Sequence, residues 1–123
     1  MTASLWLYSA AALAAFTLLV HVFGGGRTAA QPLLDSDLAP EPKYTNYYCW
    51  HIVTIVIGFM AVCFALPAAG LASTDLAAAA VALAALFSVW NIALWWHSGL
   101  KVVELPQWVL FLPMAVLGYL GLA

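Results

Sequence analysis

The chain has 123 residues, of which 67% are hydrophobic and only 7% are charged. A soluble domain usually has about 25% charged residues, so this composition excludes a soluble globular fold, and a disordered chain would need much lower hydrophobicity. Three basic residues are too few to attract a nucleic acid. The composition therefore predicts an integral membrane protein whose first partner is the lipid bilayer.

Four long stretches without Asp, Glu, Lys or Arg divide the chain, and each is long enough to cross a bilayer as a helix. We predict spans near residues 3–23, 48–66, 75–98 and 106–122, with a cytoplasmic loop at 24–47. Lipid offers no partners to backbone amides, and the sequence lacks the alternation of barrel strands. The predicted fold class is an all-α membrane protein, an antiparallel up-and-down four-helix transmembrane bundle that forms a single domain over 1–123.

Local signals predict where the helices end. The three glycines at 24–26 are expected to stop the first helix, and Gly70 and Gly99 to stop the second and the third. Ser73 or Thr74 is expected to cap the start of the third helix. Prolines at positions 32, 40 and 42 oppose a long helix in the loop that follows the glycines.

The basic residues indicate how the chain is oriented. Arg27, Lys43 and Lys101 lie in the segments 24–47 and 99–105, which an up-and-down bundle places on the same side of the membrane. The positive-inside rule makes that side cytoplasmic. Both termini are therefore predicted to lie on the opposite side.

Small and polar residues recur every three or four positions in each span and are expected to face the other helices. These residues are Ala10, Ala14, Thr17 and His21; His51, Thr54, Gly58, Ala61 and Ala65; Ala80, Ala84, Ser88, Asn91 and Trp95; and Gln107, Phe111, Met114, Gly118 and Gly121. The polar members gather toward the cytoplasmic end. We therefore expect a bundle that is tight at one end and more open at the other.

All three histidines fall at the cytoplasmic ends of the predicted helices. With their polar and aromatic neighbours they form the predicted site, which comprises His21, His51, His97, Trp50, Thr54, Asn91, Gln107 and Trp108. One interpretation is hydrogen bonding between helices alone. A second is binding of a haem, a metal ion, a quinone or a lipid headgroup, with His21 and His51 as the metal ligands. A third is acid–base catalysis by a histidine.

Three blocks of the sequence carry a resemblance to known proteins. His21–Arg27, Cys49–Thr54 and Pro106–Trp108 resemble uncharacterised short four-span inner-membrane proteins of proteobacteria. The resemblance covers most of the chain and implies a multi-pass protein of a bacterial inner membrane, which places both termini in the periplasm, but it implies no activity. The DoxX-like proteins, which are associated with quinone-linked oxidoreductases, are similar to the chain more distantly, in length and number of spans.

Two functional hypotheses follow. The leading one is an accessory or assembly subunit that packs within a larger membrane complex, or a bundle that associates with itself. The alternative is a ligand-binding or redox protein that uses the histidines to hold a haem, metal, quinone or lipid headgroup. No intramembrane carboxylate accompanies the histidines to relay protons, so the residues favour a non-catalytic protein over an enzyme.

Overall fold

A computed structural model describes residues 2–123 and shows a fold made of helices. The helices are α1 (Ala3–Leu19), α2 (Gln31–Leu34), α3 (Pro40–Ala68), α4 (Thr74–Ser98) and α5 (Trp108–Leu120). A π-helical segment, Val20–Ala30, joins α1 to α2, and a 3-10 turn at Val102–Glu104 precedes α5. No strand occurs in residues 2–123, so the predicted all-helical class is confirmed.

The first helix is longer than predicted. α1, the π segment and α2 continue without interruption from Ala3 to Asp35. The expected helix stop at glycines 24–26 is therefore wrong, and most of the predicted loop at 24–47 is helical. Glycine tolerates helical dihedral angles at a modest cost, so packing against another helix is enough to keep such a run helical.

The other predicted helix ends agree with the structure. Gly70 and Gly99 adopt the left-handed conformation, with φ angles of 71° and 69°. The backbone N–H of Gly70 donates to the carbonyl of Pro67 at 3.0 Å, which satisfies one of the free carbonyls at the end of α3. At the start of α4, the hydroxyl of Ser73 accepts a hydrogen bond from the backbone N–H of Asp75 at 3.1 Å. Ser73 is thus the N-cap.

Helices α1, α3, α4 and α5 contact one another in a closed order. α1 packs against α3 and α5, and α4 packs against the same two helices. The buried apolar side chains between them include Leu7, Ala10, Ala14, Ile57, Met60, Phe64, Ala77, Ala80, Ala84, Phe111 and Met114. Most of the inward-facing residues predicted for α1, α4 and α5 are buried, although Gln107 is exposed.

The buried face of α3 differs from the prediction. The residues it buries are Ile57, Met60, Cys63 and Phe64. Gly58 and Ala61, which were expected to face inward, are only half-buried, and His51 is exposed. One residue corresponds to a rotation of about 100° around a helix. α3 is rotated in this way because the alanine-lined faces of α1 and α4 leave space that only large side chains fill.

Three helical stretches are long and apolar enough to cross a membrane, namely Ala3–Asp35, Pro40–Ala68 and Thr74–Ser98. The fourth helix, α5, is apolar but contains only 13 residues. At 1.5 Å per residue such a helix is about 20 Å long, compared with about 30 Å for the hydrocarbon core of a bilayer. Of the four predicted spans, the fourth is therefore the shortest.

Candidate functional site

The best-defined group of predicted site residues lies where the π segment packs against the first half of α3. The rings of His21 and Trp50 stack, with centroids 4.0 Å apart and planes inclined by 17°. The Nε2 atom of His21 lies 3.1 Å from the hydroxyl of Thr54 and 3.3 Å from the carbonyl oxygen of Trp50. The same hydroxyl donates to that carbonyl oxygen at 3.1 Å. His21, Trp50 and Thr54 thus form one connected unit.

The hydrogen bonds of this unit fix the role of His21. The hydroxyl of Thr54 has a single proton, which it gives to the Trp50 carbonyl. All contacts are satisfied when the Nε2–H of His21 donates to both oxygens. A protonated Nε2 has no lone pair for a metal ion. The unit therefore ties the first helix to α3 and leaves only Nδ1 of His21 for a metal.

Gly25 provides the surface against which the Trp50 ring packs. A methyl group built on Gly25 would lie 2.6 Å from Cη2 of Trp50, which is closer than two non-bonded carbon atoms approach each other. His21 precedes Gly25 by four residues, so the indole contacts the same side of the helix at both positions. At Gly26, by contrast, the built methyl group meets nothing within 4 Å. The absence of a side chain at Gly25 therefore allows the Trp50 ring to lie directly against the helix backbone.

A groove of about 290 Å³ lies beside this unit, between the first helix and α3. It is lined by Val22, Gly26, Ala30, Gln31, Leu34, Tyr47, Trp50, His51 and Thr54. The ring of His51 meets that of Tyr47 edge to face, with centroids 4.6 Å apart. None of these lining residues is an Asp, Glu, Lys or Arg, so the groove combines apolar walls with uncharged hydrogen-bonding groups.

A second group of predicted site residues lies between α4 and α5. The side-chain amide of Asn91 donates to Oε1 of Gln107 at 2.8 Å, and its oxygen accepts from the backbone N–H of Trp108 at 3.2 Å. Trp108 begins α5, and the first amides of a helix have no partner within it. Asn91, which is 7% exposed, therefore stabilises the start of α5. A separate apolar cavity of about 220 Å³ is lined by Ile92, Trp95, Val102 and Trp108.

His97 belongs to neither group. It lies in the last turn of α4 and is exposed. His21, Trp50, His51 and Thr54 come together beside the groove, whereas Asn91 hydrogen-bonds to residues at the start of α5. The expected single site therefore divides into two groups on different pairs of helices.

The metal hypothesis gains no support from the described residues. Within residues 2–123, no three side chains of His, Cys, Asp or Glu lie close enough together to hold a metal ion. His21 and His51 both border the same region, but Nε2 of His21 is already engaged by Thr54.

The sequence prediction omitted several residues that line the groove. Gln31, Tyr47 and Gly26 were not among the predicted site residues. A spacing of four places Tyr47 beside His51 on a helix. The sequence would have indicated this contact if α3 had been predicted to begin at Pro40. Gln31 gave no comparable signal because it was expected to lie in a loop.

Comparisons of the chain with protein-family models, with curated proteins and with solved structures found no match. The resemblance to short four-span inner-membrane proteins therefore stays a prediction. Function has to be inferred from the residues and their geometry.

Proposed function

We propose that the chain is an integral protein of a bacterial inner membrane, a four-helix antiparallel bundle that acts as an accessory or assembly subunit or associates with itself. The observation that carries this proposal is the character of the outward faces. Large apolar side chains project from the helices without covering, as with Ile55, Phe59 and Leu86, which are 71%, 59% and 63% exposed. Apolar side chains exposed in this number require lipid or another protein against them.

Contacts near the helix ends support the antiparallel arrangement. Gly121, just after α5, packs against Leu7 near the start of α1. His21, beyond the end of α1, contacts Trp50 in the first half of α3. Asn91 near the end of α4 contacts the start of α5. Each contact joins the late part of one helix to the early part of another, as an up-and-down bundle requires.

The contents of the interior support a packing role. Between the helices lie alanines and large apolar side chains such as Met60, Phe64 and Met114. The buried hydroxyls of Thr17 and Ser88 donate to carbonyls of their own helices, at 2.8 Å and 2.9 Å. The apolar side chains fill the space between the helices, and the two hydroxyls are satisfied within their own helices. The outward surface is then the part of the molecule available to neighbouring subunits.

Purification in a mild detergent followed by mass measurement of the intact particle tests the subunit proposal. We expect the protein to sediment with membranes after a carbonate wash and to run as a particle heavier than one chain. A monodisperse single chain that stays stable in detergent and in lipid would contradict association with itself or with other subunits.

Labelling of single cysteines from one side of the membrane tests the orientation. In a background with Cys49 and Cys63 replaced, Asp37→Cys and Lys101→Cys are expected to react from the cytoplasm, because both lie between spans on the side of the basic residues. Ser73→Cys is expected to react only from the periplasm. Labelling of all three positions from one side would exclude four spans.

Ligand binding is a second candidate function, and the groove between the first helix and α3 favours it. Its walls carry Tyr47, His51 and Thr54 among apolar side chains, a mixture typical of small-molecule sites. Haem, metal and quinone give different signals. An absorbance spectrum and elemental analysis of the purified protein distinguish them, because a Soret band or stoichiometric metal would indicate haem or a metal ion.

A further inference from the structure

We propose that the groove between the first helix and α3 binds the ring of an uncharged quinone-class amphiphile, with Tyr47 and His51 hydrogen-bonding its carbonyl oxygens. This inference rests on the second candidate function and names the ligand class of that site. It concerns binding alone.

The charge of the groove selects an uncharged ligand. No Asp, Glu, Lys or Arg lines it, and two charged side chains near it along the chain are hydrogen-bonded within the protein. Lys43 donates to the carbonyl of Leu34 at 3.1 Å, and the carboxylate of Asp35 accepts from the amide of Gln31 at 3.1 Å. Arg27 follows the lining residue Gly26 and Lys43 bonds to the lining residue Leu34, but neither side chain lines the groove. An anionic group between its walls would therefore have no basic side chain directly against it, which is costly.

The hydrogen-bonding groups of the groove suit carbonyl oxygens. Thr54 and Gln31 are paired with neighbours of the chain, through Trp50 and Asp35. Among residues 2–123, the side chains of Tyr47 and His51 contact each other edge to face and have no hydrogen-bond partner. A phenol O–H and an imidazole N–H are donors, and the carbonyls of a quinone are acceptors. One turn of α3 thus presents two free donors.

The size and walls of the groove suit one substituted ring with the beginning of a tail. Its volume of about 290 Å³ is small for a macrocycle such as haem. Trp50 offers a flat aromatic wall, and Val22, Ala30 and Leu34 offer apolar ones. Gly26 borders open space, because a methyl group built there meets nothing within 4 Å. A bulky aromatic side chain at Gly26 would therefore enter space that the ligand would occupy, whereas a single methyl group would leave most of that space free.

Titration of the full chain in lipid nanodiscs with a short-chain benzoquinone tests the site. We expect saturable binding by the natural sequence and at least a tenfold loss of affinity in Gly26→Phe, whose ring occupies the groove. Gly26→Ala is the matched control and should bind as the natural sequence does. Absence of saturable binding, or equal affinity in Gly26→Phe, would overturn the inference.

A second pair of variants tests the hydrogen bonds without filling the groove. Tyr47→Phe and His51→Phe should each weaken binding about fivefold to tenfold, as expected for the loss of one hydrogen bond. Tyr48→Phe is the control, because Tyr48 is exposed and lies outside the groove. Equal affinities for Tyr47→Phe and Tyr48→Phe would show nonspecific partition into lipid and would refute the proposed contact.

A competition arm separates the quinone from an anionic lipid headgroup. Enriching the nanodiscs in phosphatidylglycerol should leave the affinity for the benzoquinone unchanged, whereas competition would assign the groove to a headgroup. The outcomes also distinguish a failure of this ligand assignment from a failure of the proposed subunit role. A protein that resists carbonate extraction and associates, yet fails to bind the benzoquinone, would retain its subunit role and lose this ligand.

Discussion

In two regions of the molecule, a glycine allows a large side chain of another helix to pack closely, but one region is a closed core and the other is an open groove. At Gly118, an added methyl group would lie 2.6 Å from both Phe64 Cε1 and Val81 Cγ2. At Gly25, it would lie 2.6 Å from Trp50 Cη2. Both glycines let a large side chain pack on a bare helix. The first contact closes an apolar core, whereas the second lies beside an open groove.

The difference follows from what surrounds each aromatic side chain. Phe64 enters a region lined by alanines of the neighbouring helices, so the space is filled and the ring is fully buried. Trp50 lies beside a π-helical segment and borders the groove, whose walls also carry residues with polar side chains. Close approach of two helices is therefore not sufficient for a closed core, because the side chains beyond the contact decide how much space remains.

The largest effect is expected in the closed region. Phe64→Ala removes a fully buried ring and leaves a cavity, and should lower the free energy of unfolding by about 3 kcal/mol. Phe59→Ala on the same helix is the control, because Phe59 is exposed and its loss should cost less than about 0.5 kcal/mol. Titration with SDS in mixed micelles measures both. Similar losses would mean that the core is packed differently.

Overfilling the closed region should have the next largest effect. Gly118→Ala forces Phe64 and Val81 to move and is expected to cost about 2 kcal/mol of the free energy of unfolding. Gly58→Ala provides the comparison, because its methyl group would meet Leu18 at an ordinary 3.7 Å. That variant should be neutral or gain up to about 1 kcal/mol from helix propensity. A stable Gly118→Ala would refute the close contact.

At the open region, Gly25→Ala should displace the Trp50 ring from His21 and cost about 1 kcal/mol of the free energy of unfolding. Near-ultraviolet circular dichroism reports the changed surroundings of the indole. Gly26→Ala, one residue along, meets nothing and should leave the spectrum unaltered. If the two variants gave the same spectrum, Trp50 would not lie on Gly25.

The smallest effect is expected for the hydrogen bond between His21 and Thr54. Thr54→Val keeps the shape of the side chain and removes the hydroxyl, and such bonds between membrane helices contribute about 0.6 kcal/mol on average. Thr28→Val is the control, because the hydroxyl of Thr28 bonds only to Gly24 within its own helix. A loss above about 2 kcal/mol would exceed the range measured for single bonds in membrane helices and would indicate a larger role for the unit.

The sequence was informative where a helix face is set by its own composition. The alanine and serine positions of α4, from Ala80 to Asn91, were predicted to face inward and are buried. Ala10, Ala14 and Thr17 of α1 follow the same pattern. A periodicity of three to four residues carries this information within a single segment. The caps at Ser73 and Gly70 were equally readable, because they depend on nearby backbone groups alone.

The predicted site was only partly readable. Four of its residues come together where the first helix packs against α3, namely His21, Trp50, His51 and Thr54. Their common depth was inferred from their places at helix ends. The sequence did not show that Asn91 would instead bond to the start of α5, or that His97 would remain exposed. The sequence of a single span does not show which helices will be its neighbours or how the span is rotated against them.

By itself, the sequence determined the helical class, the strongly apolar character of the chain, and the inward faces of α1 and α4. Only the tertiary structure decided that the helix continues through the glycines at 24–26, that α3 is rotated by one position, and where the groove lies. The physical reason is that a large side chain is buried where a partner has room for it. Trp50 needs Gly25, and Phe64 needs Gly118, and each of these pairs joins distant parts of the chain.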